Sequence, residues 1–208
     1  MNREGKNQQT KRRIMESALA EFSQKGYGAS SVNTICAAQN ISKGIIYHYF
    51  KTKDDLYLAC VEECFQLLTS HLSSCTSTEQ SSAEEQLDIY FRARMSFFRE
   101  HPVYQPVFCE AIVSPPAHLK EGIQERMQAY DDLNIDILEN LLKLLPLNPH
   151  FTKAEVVDTF RQFQDFINAK YQIAHMSTAE FEIREERCHK ALEILLYGVI
   201  DRKETSHD

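Results

Sequence analysis

The chain has 208 residues, 43% of them hydrophobic, a formal net charge of −7 and no tryptophan. That length accommodates one large domain or a small one fused to a larger, and the apolar content is enough for a real core. Apolar runs such as Leu195-Leu196-Tyr197 fall far short of the roughly 20 residues that span a bilayer, and the polar, basic stretch 1–13 lacks the apolar centre of a secretory signal. A soluble, cytoplasmic protein with no membrane partner is expected.

Charge is divided unevenly. Residues 1–55 hold nine Lys/Arg against five Asp/Glu, a net of +4, while the rest hold 14 against 25, a net of −11. An acidic chain with one basic end suits a protein whose N-terminal part meets a polyanion.

In chain order, Ile14, Ala18 and Phe22 mark one face of a first helix over about 8–25. Val32, Ile35 and Cys36, at i, i+3 and i+4, mark a second short helix, with Ser30 or Ser31 as its N-cap. Asn40 stands where that helix must stop with positive φ, which Asn tolerates better than any residue but Gly. Ser42 caps a third helix, 43–49, and Ile41 with Ile46 makes a hydrophobic staple across its start. A fourth helix opens at Thr52, with Asp55 placed for a capping box, and runs to about 72. The Ser/Thr-rich stretch 73–82 is the clearest linker. Further helices follow over about 83–100, 103–113, 119–144, 153–175 and 177–198, the first three ended by Pro102, Pro115-Pro116 and Pro146. No segment shows the period-two alternation of a strand. The expected fold is all-α: an N-terminal three-helix helix-turn-helix domain joined to a larger helical ligand-binding and dimerisation domain. The division is placed at 1–52 and 53–208, with the fourth helix (about 53–72) connecting the two.

Residues 26–56 read as a helix-turn-helix whose second helix turns Ile46 and Phe50 inward and offers Lys43, Gly44, Tyr47 and His48 outward. Lys43 can reach a phosphate or a guanine edge. Gly44 costs a helix about 1 kcal/mol relative to Ala, a cost explained where a side chain would collide with DNA. Tyr47, His48 and Tyr49 can donate to phosphates, and one of the two tyrosines can be half core. Ser42 opens the helix beside them. Lys53 lies in the first turn of the fourth helix, where its ammonium and the free N–H groups can engage a phosphate. Ser31, Asn33 and Thr34 open the second helix close to the same surface. Lys11, Arg12 and Arg13 make a basic approach surface.

The segment resembles the DNA-binding domain of the TetR family of transcriptional regulators. The likeness is carried by Gly26-Tyr27, Ser30-Ser31-Val32, Ile35 and the run from Ile41 through Lys53, and it extends back through Arg13, Ile14, Ala18 and Phe22. Cys36 stands where a small Ala is common in that family, and Asn40 where Gly is common. The resemblance covers about the first 60 residues. It implies that Tyr47, His48 and Lys53 meet DNA, that the protein is a homodimer on a palindromic operator, and that a small molecule bound in the larger domain shifts the spacing of the two reading heads.

The larger part carries its own candidates. Phe91, Met95 and Phe98 lie at i, i+4 and i+7 and are expected to face Tyr104, Phe108, Met127 and Tyr130. Such a stripe builds a solid core or an effector cavity equally well. Arg94, Gln105 and His118 are the polar groups placed to line a cavity. Val156, Phe160, Phe163, Ile167 and Ala174 form a stripe that Val157, Phe166 and Ile173 broaden. Phe181, Cys188, Leu192, Leu195 and Val199 form a second, with Ser177 and Glu180 as a capping box. Apolar surface that wide suits two helices packed on both their own core and a partner copy.

The six cysteines, 36, 60, 64, 75, 109 and 188, show no C-x-x-C spacing and no paired His, so they are expected to be small buried hydrophobes with no metal and no cofactor. There is no nucleophile elbow, H-E-x-x-H or Gly-rich phosphate loop, and no enzyme is expected. The expected function is sequence-specific transcriptional regulation, as a repressor released by a small-molecule effector. The alternative is a DNA-binding regulator answering to thiol oxidation, a metal or a protein partner.

Overall fold

The computed structural model describes residues 3–76, 82–170 and 177–199. Helices in chain order are α1 (Arg3–Ala29), α2 (Val32–Ala38), α3 (Lys43–Tyr49), α4 (Lys53–Cys75), α5 (Ala83–Glu100), α6 (Tyr104–Val113), α7 (Lys120–Leu144), α8 (Lys153–Lys170) and α9 (Thr178–Val199), with a 3-10 turn, Ala117–Leu119, before α7. The fold is all-α, and among the described residues no helix is long and apolar enough to cross a membrane. Residues 77–81 of the expected linker, Ile173 and Ala174 of the expected stripe, and the tail from 200 onward lie outside the described residues, as does the side chain of Val199.

The helix boundaries follow from local chemistry. Thr52 and Asp55 close the expected capping box at the start of α4, each accepting the other's backbone N–H at 3.0 Å. Ser177 and Glu180 do the same for α9, at 3.3 and 2.9 Å. Ser82 with Glu85 and Thr152 with Glu155 form two more such boxes, before α5 and α8. Asn40 adopts φ 51°, and Ile41 N–H bonds to Cys36 O at 2.9 Å while Asn40 N–H bonds to Ala37 O at 3.3 Å. That pair is a complete Schellman motif, which ends α2 and turns the chain toward α3. The first helix runs longer than its apolar spacing indicates, and Gly26 (φ 67°, ψ 173°) breaks its regularity near the C-terminal end.

One continuous apolar core runs from Ile14 of α1 to Leu196 of α9. Ile14, Ala18 and Phe22 of α1 close on Ile35, Ile41, Ile46 and Phe50, so each short helix is held by one or two fully buried side chains. Burying one such Ile or Phe contributes about 1.5–3 kcal/mol, which a seven-residue helix could not obtain from its own hydrogen bonds. The central α4 buries Leu56, Cys60, Val61, Cys64, Phe65, Leu68 and Leu72, and so packs against both the small head and the larger body.

Helices α5 and α9 run antiparallel, as three successive side-chain pairs show. Phe91 stacks on His189 with centroids 4.6 Å apart, Arg94 meets Glu185, and Phe98 packs edge-on against Phe181 at 5.1 Å.

Candidate nucleic-acid interface and effector cavity

The candidate recognition surface is built on α3. Ser42 caps it by accepting Ile45 N–H at 3.3 Å, and buried Ile41, Ile46 and Phe50 fix it to the head. The opposite face leaves Ser42, Lys43, Gly44, Tyr47 and His48 exposed, as the pattern predicts. Tyr47 is 45% exposed and Ile45, which the sequence reading did not single out, is 43% exposed. The Ile45-Ile46 pair carried that signal, since two adjacent helical residues cannot both face one core. An exposed isoleucine beside a lysine and a tyrosine is an apolar surface suited to a thymine methyl group.

A Cβ added at Gly44 would approach Ser42 Oγ at 4.0 Å and meet nothing closer. Nothing inside the protein therefore requires glycine there.

Other expected contacts carry internal duties. Ser31 caps α2 by accepting Asn33 N–H at 3.2 Å, and its own N–H bonds to Glu21 at 3.1 Å. Burial raises the Glu21 carboxyl, but Lys25 at 2.9 Å and the Ser31 N–H outweigh that and hold it below the usual carboxylate range. Asn33 and Thr34 remain exposed at the start of α2. Tyr49 is the half-buried tyrosine of the pair: its hydroxyl donates to Asn7, tying α3 to the first turns of α1. Lys53 is half-buried, donates to Ser30 O at 2.8 Å and lies 4.4 Å over the Tyr27 ring. To meet a phosphate it must exchange that carbonyl, while the N-terminus of α4 beside it keeps its free N–H groups.

The basic approach surface is smaller than its sequence suggests. Arg12 pairs with Glu16 at 3.0 Å and Glu63 at 3.2 Å, and Arg13 donates to Gln39 O at 2.7 Å.

Head and body meet at Tyr27. Its N–H donates to both oxygens of Glu110 on α6, at 2.9 and 3.0 Å, and Tyr57 of α4 donates to the same carboxylate at 2.9 Å. The Tyr27 hydroxyl bonds to Asp54 and lies 3.2 Å from His118 Nε2. Burial and Asp54 push the Tyr27 phenol up to about 12. His118, expected in a cavity, belongs to this joint instead.

Within the body lies a cavity of about 600 Å³, walled by α5, the C-terminal end of α6, α7, α8 and α9. Four of the eight expected effector residues line it: Phe91, Arg94, Met127 and Tyr130. The other four do not. Phe98 is sealed against Phe97, Phe108 and Phe181 with centroids 4.8–5.1 Å apart, so the stripe leaves the cavity after its first turn. Phe108 packs on Phe65 and Tyr130, Tyr104 turns its hydroxyl to Glu63 on α4, and Met95 packs half-buried against the core. Gln105 is buried away from the cavity lining.

The missed wall comes from distant sequence. Asn134 of α7, Asn168 of α8 and Arg184 of α9 bring polar groups that only tertiary packing places opposite Arg94. The cavity is therefore not enclosed by α5, α6 and α7 alone, because α8 and α9 close it.

The family model for "Bacterial regulatory proteins, tetR family" matches residues 14–60, which span the whole helix-turn-helix and the start of α4. Over those residues the chain is similar to the TetR family of transcriptional regulators.

Over 62 residues it is 32% identical to the biofilm operon icaADBC HTH-type negative transcriptional regulator IcaR of Staphylococcus epidermidis, covering 30% of this chain and 34% of that one. The chain thus spans about a third of that relative's length. It is 21% identical over 159 residues to the HTH-type transcriptional regulator RutR of Escherichia coli, covering 75% of this chain and 74% of the other. The fold matches the transcriptional regulator FadR of Bacillus subtilis, solved in complex with stearoyl-CoA, with a TM-score of 0.67 at 17% identity, over 90% of this chain and 98% of that one.

The cysteines are spread through the head and body. Cys60, Cys64 and Cys109 are buried, and burial pushes the Cys60 and Cys64 thiols well up and that of Cys109 to about 12. Such thiols are poor nucleophiles at neutral pH.

Proposed function

We propose that this chain is a TetR-family repressor that binds a palindromic operator as a homodimer and is released when a small molecule occupies the body cavity. The observation that carries the reading is the exposed face of α3, where Lys43, Ile45, Tyr47 and His48 surround a glycine that no internal contact requires. Lys43, Ser42 and His48 are assigned to phosphates or base edges, and Tyr47 to a phosphate with its ring on the sugar. Asn33 lies on the flanking helix, while Ser31, Tyr49 and Lys53 position the head and reach DNA only at its margin. Residues 1–52 are the reading head and 53–208 the effector-binding and dimerisation part, with α4 shared between them.

A seven-residue recognition helix reads few base pairs, and twofold pairing doubles the site. The dimer face is assigned to α8 and α9. Phe166 is 64% exposed, and Ile183 and Ile194, eleven residues apart and so on one side of α9, are 48% and 62% exposed. Of the apolar surface expected to serve both the chain's own core and a partner, Phe160, Ile167, Phe181 and Leu192 are buried within the chain.

The cavity of about 600 Å³ is in the usual range for small-molecule sites. The B. subtilis FadR structure, which shares the fold, holds stearoyl-CoA. Coupling needs only a differential affinity between DNA-competent and effector-bound states, and about 1–3 kcal/mol gives a 5- to 150-fold response. Selection of bound sequences from a random DNA pool tests the reading. Inverted repeats are expected. Recovery of unpaired half-sites alone would remove the dimer, and no enrichment would remove the operator.

A further inference from the structure

We infer that the effector is an apolar molecule ending in a single carboxylate, held by Arg94 and Arg184. The inference rests on the effector cavity proposed above and names the chemistry of what fills it. Both arginines line the cavity and are almost wholly buried, at 6% and 3% exposure. Between them stands one carboxylate, Glu185, 2% exposed. Its Oε1 accepts from Arg94 Nη2 at 3.2 Å and from Arg184 Nη1 at 2.5 Å. Two cations share one anion, so the cluster carries a net charge of +1 inside the body.

The donors are not used up. Arg184 Nη2 donates to Asn168 Oδ1 at 2.5 Å, but its Nε–H has no partner. Arg94 Nη1 reaches the Tyr90 hydroxyl at 3.3 Å. Arg94 Nε lies 3.1 Å from Glu185 Oε2 without the alignment of a hydrogen bond. A buried unpaired N–H costs about 1–3 kcal/mol and an uncompensated buried charge costs more, so a cluster of this kind is destabilising until something anionic completes it. Lys120, Asp131 and Asp165 also border the cavity, with their side chains reaching its exposed rim, and partial burial together with Asp132 raises the Asp131 carboxyl to about 6, which makes it a weaker anion than an ordinary aspartate.

Charge count selects the headgroup. One excess positive charge is matched by one carboxylate, whose two oxygens suit the guanidinium fork, whereas a phosphate monoester brings nearly two negative charges. Away from the arginines the wall mixes amides such as Gln124, Asn134 and Gln164 with an apolar surface that includes Phe91, Ile123, Met127, Leu138, Phe160 and Leu192. That surface receives a hydrocarbon or aromatic body. The polar end lies against α5 and α9, and the apolar end extends toward α7 and α8.

The test measures binding by calorimetry on the full-length protein without DNA, using decanoate, decanol, decylamine and decyl phosphate, and 4-phenylbutyrate against 4-phenylbutanol. Each carboxylate is expected to bind roughly 10- to 100-fold tighter than its alcohol, the worth of one or two charge-assisted hydrogen bonds, and the amine weakest. The Arg184→Gln variant, checked for its helical spectrum, is expected to lose the carboxylate preference while still binding the alcohol. Equal binding of acid and alcohol by the wild type overturns the inference whether or not the variant folds. So does tighter binding of decyl phosphate than of decanoate, or no binding by either acid. Operator release is measured separately. Carboxylates that bind without releasing DNA leave this inference standing and remove effector control, whereas release by the neutral alcohols alone does the reverse.

Discussion

At the scale of single residues, the α3 surface separates fold from function with unusual clarity. Gly44 has open space around it, so Gly44→Ala removes only the backbone entropy cost of glycine in a helix. The variant should be more stable by about 0.5–1 kcal/mol, read from denaturant melts, and should bind operator more weakly, read by fluorescence anisotropy. Unchanged DNA affinity would remove the steric reading of this position. Lys53 behaves differently because it bonds to Ser30 O and covers the Tyr27 ring. Lys53→Ala should therefore lower the melting temperature as well as the affinity, and flatten the log–log salt dependence by about one unit if a phosphate contact is lost. A lower melting temperature with an unchanged salt slope would make Lys53 purely internal. The glycine was legible in the sequence as an anomaly in a helix. The carbonyl bond of Lys53 was not, because Ser30 and Lys53 are brought together only by the packing of α1 against α4.

Among the elements, the turn between α2 and α3 decides how the recognition helix is presented. Asn40 holds φ 51° in a Schellman motif, and both backbone bonds depend on that conformation. Asn40→Ala should cost about 1–2 kcal/mol of stability, while Asn40→Gly should be tolerated. Chemical denaturation of the two variants checks this, and an Ala variant as stable as the wild type would show that the turn relaxes. Capping boxes and Pro stops placed most boundaries within a residue or two because they are local chemistry. The first helix was read too short at both ends, since its polar N-terminal turns carry no periodic apolar signal. Its C-terminal end is irregular at Gly26, and the N–H of the next residue, Tyr27, bonds to Glu110 of α6.

For the whole molecule, the exposed Phe166, Ile183 and Ile194 are the test of the proposed dimer face. Phe166→Glu with Ile194→Glu should leave the helical spectrum intact, shift the sedimenting species from dimer to monomer and weaken operator binding. A double variant that still sediments as a dimer would move the interface elsewhere. The same scale explains why only half of the expected effector residues line the cavity. Phe91 and Phe98 share one face of α5, yet α9 crosses that face antiparallel, so Phe181 seals Phe98 while Arg184 and Cys188 line the open part beside Phe91.

The amino-acid sequence alone determined the all-α class, the caps, the α2–α3 turn and the outward face of the recognition helix. Each of these depends on residues within about one or two helical turns of one another, where spacing stands for geometry. The tertiary structure alone decided that Arg94, Asn168 and Arg184 share a cavity wall, that Tyr104 and Phe108 do not, and that His118 and Glu110 meet Tyr27. Those positions are 16 to 91 residues apart. No periodicity encodes which of several apolar faces will meet, because any of them buries similar area and only their joint packing selects one.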